Sequence, residues 1–374
     1  MLALTLMLVN FKLIRTRDWF IFLFLLSQIV PTKPASLTNI RRNSASSHRM
    51  QDVATLAGVS MITVSRVINS PEKVAEVTRI KVEKAIRTLG YVPNLMAGSL
   101  ASSKSRLIGA IVPTIDNSIF AETIRGLSQT LALNGYELLL GQTGYVDNAE
   151  ERIVSTFLGR RVDAMVLTGI RHTDKTRSQL KESGIPVVET WDLSDRPIDM
   201  LAGFSNLEAG AAMGRYLIGK GYMRLGFAGG DESRALSRLA GLTATVKSTP
   251  GANLRHVLLK PAASSFKAGR EALVQLLKKD PNLQAIFFSN DALAVGAMME
   301  CVRRGLRVPQ DIAIAGFADL DIASEILPAL TTVQVRSRRI GETAAGMLMD
   351  RLQGRDVPDL VKNLGFSIIP RESA

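Results

Sequence analysis

An α/β protein with an all-α head at its N-terminal end is the fold class the sequence predicts, and three observations predict it. Two short helical patterns meet at Gly58 within residues 53–69, and a third follows over about 76–89. From Arg106 onward, short apolar runs alternate with amphipathic helical patterns, the signature of a parallel sheet flanked by helices. The chain has 374 residues, room for two or three domains, and half of its net charge of +12 lies in residues 1–49. There Lys12, Arg15, Arg17, Lys33, Arg41, Arg42 and Arg49 face Asp18 alone. The remaining charge is mild, the distribution expected of a basic nucleic-acid-binding head on a near-neutral body.

Residues 1–49 read as a leader. The stretch 1–9 is apolar, a basic patch follows, and 19–30 is a second greasy run. That run is about 12 residues, short of the ~20 that a membrane-spanning helix needs. As a signal peptide it has a basic n-region and an apolar h-region but a poor cleavage site around Ala35 and Ser36. The expected reading is that translation begins later, at Met50 or between 41 and 50; a membrane anchor and a disordered tail are the alternatives. Arg41, Arg42 and Arg49 would brush phosphates, as any loose basic tail would.

In the head, Leu56 and Ala57 close a first helix, and Ala57 is small enough for a second to pack against it. Ser60 stands at an N-cap position, its hydroxyl placed to accept a backbone N–H two or three residues on. Val64, Val67 and Ile68 then fall on one face and are expected to be buried, leaving Met61, Ile62, Ser65, Arg66 and Asn69 in front. A short helix with a core-bound back and such groups in front is what reading the major groove of DNA requires, so the pair is a helix-turn-helix. In the third helix Val82, Ile86 and Leu89 form an apolar stripe, while Arg79, Lys81, Lys84 and Arg87 face solvent or phosphate. A solvated helix face would be charged too, so that excess alone decides little.

The wording DVATLAGVSMITVSRVIN, then GYVPNLMAGSLA, then a long α/β body, resembles the LacI/GalR family of bacterial transcription repressors over roughly residues 50–370, with gluconate-operon repressors as the closest likeness. The resemblance implies a lambda-repressor-like helix-turn-helix domain with a hinge helix over 50–105. It also implies a two-lobed periplasmic-binding-protein-like core over 106–370. It places Met61, Ile62 and Arg66 on base edges. Arg66 would fork onto guanine, for about 1–3 kcal/mol of discrimination, while Met61 and Ile62 would pack on thymine methyls. Ser60, Thr63, Ser65 and Asn69 would cap the helix, hold phosphates and set register. In the second motif Pro93 suits a first helical turn, Asn94 joins the DNA contacts and Ala97 allows close helix approach. Leu100 matches the family's apolar wedge for the minor groove, in a hinge helix expected to fold only when two copies meet on DNA. The family usually caps the third helix with Ser; here Ala75 stands there, at a cost of about 1 kcal/mol.

In the body, strands are expected over 107–112, 136–140, 163–167, 186–189, 224–228, 285–289 and 312–317. Helices such as 119–134, 206–220, 267–278 and 292–304 lie between them. By resemblance one lobe takes about 106–203 with 337–364, and the other takes about 204–336 with the tail. A small-molecule effector is then expected between the lobes at strand C-termini. The candidate contacts are Asn117, Ser118, Phe120, Gln142, Trp191, Phe204, Arg234, Arg238, Asn290 and Phe317; Thr143 and Asp192 stand at strand ends as well. Sugar-binding relatives carry an Asp where this chain has Ala318 in Gly316-Phe317-Ala318-Asp319. Losing one carboxylate while keeping Arg234 and Arg238 favours an acidic effector such as a sugar acid; the bland alternative pairs those arginines with Asp231 or Glu232 on the surface. Homodimer contacts are expected from first-lobe helices.

The composition argues against other classes. With 5% aromatic residues, a stacking platform for single strands is not expected. His48, His172 and His256 are scattered without metal-ligand spacing, and no catalytic residues, metal or cofactor are expected. Residues 214–220 mimic a phosphate loop, but Gly221 replaces the Ser or Thr and the stretch ends a helix. Asp319 and Asp321, two apart in a loop, are poor geometry for acid–base work. Cys301 is the single cysteine, so no intrachain disulfide forms, and a reducing, cytoplasmic setting is expected. The rival class is a membrane-tethered or exported sugar-binding protein, which the leader favours and the helix-turn-helix opposes.

Overall fold

A computed structural model describes residues 48–92, 104–115, 118–146, 148–260 and 264–374. The chain divides into two compact units, up to Asn94 and from Leu95.

The first unit is a three-helix head: α1 (Met50–Ala57), α2 (Met61–Asn69) and α3 (Glu76–Leu89). Its core is Val53, Ala54, Val64, Val67, Val82, Ala85 and Tyr91, with Ile68, Ile86 and Leu89 packed against it. Gly58 ends α1 in the left-handed region (φ 66°), a conformation that a residue with a Cβ adopts only with strain. That turn aims α2 away from α1, and Ser60 caps α2 by accepting from Thr63 N at 3.2 Å. Ala75 does cap α3, and no side chain replaces the missing hydroxyl.

The second unit has two six-stranded sheets. The first contains β1 (Leu107–Val112), β2 (Glu137–Gln142), β3 (Ala164–Thr168), β4 (Val187–Thr190), β5 (Met200–Gly203) and β11 (Val361–Asn363), in the order β11-β5-β4-β3-β1-β2. The second contains β6 (Arg224–Gly230), β7 (Asn253–Leu259), β8 (Ala285–Phe288), β9 (Ala313–Ala318), β10 (Thr331–Val335) and β12 (Phe366–Ile369), in the order β12-β10-β9-β8-β6-β7. Every pairing is parallel except the antiparallel edge β10–β12. The chain therefore crosses between lobes three times: after β5, after β10 and after β11.

Helices α4 (Ala121–Leu133), α5 (Ala149–Gly159), α6 (Asp174–Ser183) and α12 (Ser337–Leu352) serve the first sheet. Helices α7 (Asn206–Gly219), α8 (Ser233–Lys247), α9 (Phe266–Lys279), α10 (Asp291–Arg303) and the short α11 (Ile322–Glu325) serve the second. Three helix pairs touch backbone to backbone through paired glycines: Gly126 and Gly341 in α4–α12, Gly210 and Gly241 in α7–α8, and Gly269 and Gly296 in α9–α10. The strand expected at 136–140 starts one residue later, because Tyr136 N donates to Leu131 O and belongs to the turn closing α4. Strands β5, β7, β10, β11 and β12 were not expected; β5 is four residues long, and β7, β11 and β12 are partly exposed edges that lack a continuous apolar run. Among the described residues no helix is long and apolar enough to cross a membrane.

Candidate functional site

The outer face of α2 is the first site. Met61 and Ile62 are 48% and 66% exposed while Val64 and Val67 are buried, so the two side chains beyond the cap stand in solvent and contribute nothing to the core. Arg66 is exposed and makes no ion pair with any described residue, leaving all its donors available. Two neighbours are tied down. Thr63 and Ser60 share a hydroxyl contact of 2.9 Å, and Asn69 Nδ2 donates to Ser65 O at 3.0 Å and lies 3.3 Å from Ser65 Oγ. These contacts orient the polar groups beside Arg66 before any partner arrives. Asn94, Ala97 and Leu100 lie outside the described residues, as does Asn117 in the body.

The second site is the seam between the lobes, where strand ends from both sheets meet. A chain of four buried aromatic rings crosses it. Phe120 meets Trp191 edge-on at 4.9 Å, Trp191 meets Phe204 at 6.0 Å, and Phe204 meets Phe317 at 6.0 Å. Trp191 is held from three sides. Its ring N–H donates to Thr123 Oγ1 at 3.0 Å, and that hydroxyl donates to Ser337 O at 2.8 Å. Its carbonyl accepts from Asn206 Nδ2 at 2.8 Å, and its backbone sits at φ 69°, a costly conformation that persists only where the surroundings impose it.

Two hollows are lined by residues next to these rings in the chain or in contact with them. The larger, about 1130 Å³, is lined by Ser118, Arg125, Ala318, Asp319, Arg336 and Arg338 among others. Asp319 in it is already engaged by Gln334 and Arg371, each at 2.7 Å, and Ala318 holds φ 112°. The smaller, about 220 Å³, lies between the ends of the first sheet's strands and the start of α8. Thr143, Tyr145, Glu150, Arg171, Glu232 and Arg234 contribute to it. That volume is below the ~300–1,000 Å³ of drug-sized pockets and suits a compact polar ligand.

Two arginines from the first turns of α8 stand here: Arg234 lines the smaller hollow, and Arg238 is buried beyond its lining. Arg234 is buried, its guanidinium 5.5 Å from the Phe120 ring, and no described carboxylate lies within 4 Å of it. Arg238 lies deeper, 4.1 Å over the Phe317 ring, bonded to Asn206 Oδ1 and 3.7 Å from Glu232. Its Nε has no partner, and burial lowers its pKa to about 10 despite the Glu232 charge. The surface-pairing alternative is thereby corrected. Asp231 pairs with Lys260, Glu232 meets Arg238 in the interior, and Arg234 pairs with neither. Burial likewise raises the Tyr145 phenol.

Behind the same hollow lies a charged cluster that the sequence reading did not find. The His172 ring is wholly buried between Glu150 at 2.8 Å and Glu189 at 3.2 Å, and Arg177 approaches Glu189 at 3.5 Å. Burial opposes its charge, but the two carboxylates outweigh burial and raise the imidazole pKa to about 9. Tyr145, Glu150, Arg171 and His172 all follow the ends of β2 and β3. The rule that ligands bind beyond strand C-termini contained the signal that could have found them.

The expected contacts therefore fall in different places. Ser118 lines the larger hollow and Arg234 the smaller. Phe120, Trp191, Phe204 and Phe317 are buried in the ring chain and line neither hollow, and Arg238, stacked on Phe317, lines neither as well. The Asn290 side chain caps α10, accepting from Leu293 N at 3.0 Å. Gln142 is exposed at the end of β2 and lines neither hollow.

Comparison with known proteins finds similar chains for both units. Residues 49–94 match the bacterial regulatory proteins of the lacI family, and residues 105–364 match the periplasmic binding proteins and sugar binding domain of LacI family. The HTH-type transcriptional regulator GntR of Pseudomonas aeruginosa is 36% identical over 341 residues, covering 90% of this chain and 99% of that protein. A LacI-family regulator from Silicibacter pomeroyi has a similar structure, with TM-score 0.81 and 30% identity over 87% of this chain and 99% of that one. The lac repressor dimer bound to operator and the anti-inducer ONPF is similar at TM-score 0.72 and 27% identity, over 87% and 98% of the two chains.

Proposed function

The chain belongs to the LacI family of bacterial regulatory proteins and is a transcriptional regulator with a DNA-binding head and an effector-binding body; on that premise we propose that it represses a catabolic operon in response to a sugar acid. The observation that carries the acidic effector is Arg234, a buried cation facing a small polar hollow with no described carboxylate within ion-pair distance. A cation so placed is costly unless an anion completes it, and an aldonic acid such as gluconate offers a carboxylate with a hydroxylated tail. Thr143, Tyr145 and Glu150 are positioned to meet those hydroxyls.

In this reading the protein acts in the cytoplasm as a homodimer, without catalysis. The lac repressor seen on operator as a dimer supports two heads on a pseudo-palindromic site. Arg66 reads a guanine, Met61 and Ile62 pack on thymine methyls, and Ser65 and Asn69 meet phosphates. The effector changes the angle between lobes and so the operator affinity, with induction as the sign. The test is footprinting of the full chain on duplexes from its own genome with sugar acids and with neutral polyols. Release by an acid and not by polyols supports the proposal. A protected site that no acid releases or tightens overturns the acidic effector.

A further inference from the structure

Glu232 lines the smaller hollow next to Arg234 and reaches from it toward the buried Arg238. It is the N-cap residue of α8 but makes no capping hydrogen bond, so its carboxylate is not spent on the helix. Its side chain is 18% exposed at the hollow's wall, and its Oε1 is 3.7 Å from Arg238 Nη2. Asp192, another carboxylate acting on Arg238, is beyond ion-pair distance, and its Oδ1 accepts from Leu193 N. A distance of 3.7 Å is an ion pair without a good hydrogen bond, and the buried Arg238 Nε has no acceptor at all. The resident pair is thus incomplete, and a bidentate carboxylate satisfies Arg238 better than Glu232 does.

We propose that Glu232 is a built-in competitor for the effector: it neutralises the buried Arg238 while the site is empty, and an acidic effector binds by displacing it. This rests on the sugar-acid reading above and adds to it the residue that sets the affinity. Glu232 keeps Arg238, the deeper of the two cations, from being left uncompensated in the empty site, while Arg234 stays open to the ligand. It also repels any anion that fails to displace it, so only a ligand whose hydroxyls add to its carboxylate gains enough to bind.

Calorimetry on the full chain with D-gluconate and its neutral analogue D-glucitol tests this. Glu232→Gln should bind D-gluconate about tenfold tighter or more, since one like charge near the ligand is gone, while D-glucitol gains nothing. Unchanged or weaker D-gluconate binding overturns the proposal. An equal gain for both ligands also overturns it, because that would show a site merely loosened. If Glu232→Gln does not fold, Glu232→Asp, whose shorter arm loosens the same pair, must show a smaller gain in the same direction. If wild type and variant both ignore D-gluconate and other sugar acids, the effector reading fails, and sulfate decides the competitor separately. Sulfate must then raise the melting temperature of the variant more than that of wild type, and an equal rise overturns the competitor.

Discussion

Replacing Ala75 with Ser should stabilise the head, and the size of the gain can be worked from the helix start. The first i→i−4 bond of α3 is Arg79 N to Ala75 O at 3.0 Å, so the N–H groups of Glu76, Val77 and Thr78 have no acceptor within the helix. Ala75 already has cap-like backbone angles (φ −54°, ψ 139°), close to those of Ser60 (φ −75°, ψ 154°), whose hydroxyl does accept an N–H. A serine at 75 therefore gains its bond without rearranging the chain, which is worth about 1 kcal/mol. Because α3 supplies Val82 and Ala85 to the head's small core, the gain stabilises the whole unit. The assay is amide hydrogen exchange on the full chain. Head amides that exchange by opening the whole unit should slow about fivefold, the factor that 1 kcal/mol represents. Ser60→Ala is the mirror control, losing an observed cap and speeding the same amides by a similar factor. Acceleration in Ser60→Ala with no slowing in Ala75→Ser would refute the capping argument at position 75.

Arg66→Ala should weaken operator binding and relax preference at one base position, costing about 1–3 kcal/mol; binding selection that returns the wild-type site would remove Arg66 from recognition. His172 gives the body a pH dependence. Its folded pKa of about 9 is above the ordinary 6.5, so the stabilisation, roughly 3 kcal/mol, is complete below 6.5 and disappears as pH rises through 9. Urea melts of wild type should show that decline between pH 7 and 9.5, and His172→Gln should be less stable with a flatter profile; parallel profiles would refute it. A Cβ on Gly210 would lie 1.9 Å from the Arg238 carbonyl, so Gly210→Ala must push α7 off α8 at a cost of about 1–3 kcal/mol. It should also weaken effector binding; an unchanged melting temperature would show that the helices can separate freely.

The head was legible almost residue by residue because its signals are local. Ser60, Gly58 and the Val64–Val67 spacing act within one or two turns, and α3 spans the residues its periodicity indicated. The first lobe's inner strands were legible as apolar runs, whereas β7 and β12 were not, being edges with mixed faces. The seam was only half legible. Strand ends pointed to Arg234, but nothing local told that Phe120, Trp191, Phe204 and Phe317 would pack ring to ring, since that depends on residues as far apart in the sequence as Phe204 and Phe317 meeting. The Asn290 side-chain oxygen accepts an N–H at a helix start, a tie that its place after a strand did not reveal. Likewise, His172 found Glu150 and Glu189 through the fold, not through any motif spacing.

The DNA-reading head and the effector-binding body are joined by a coupling free energy, which reciprocity tests directly. Affinity of the full chain for D-gluconate, measured by calorimetry with and without saturating operator duplex, should change by the same factor as operator affinity measured with and without D-gluconate, about 5- to 150-fold. If D-gluconate binds the free protein and the operator complex equally well, seam and head are uncoupled, and the account is contradicted.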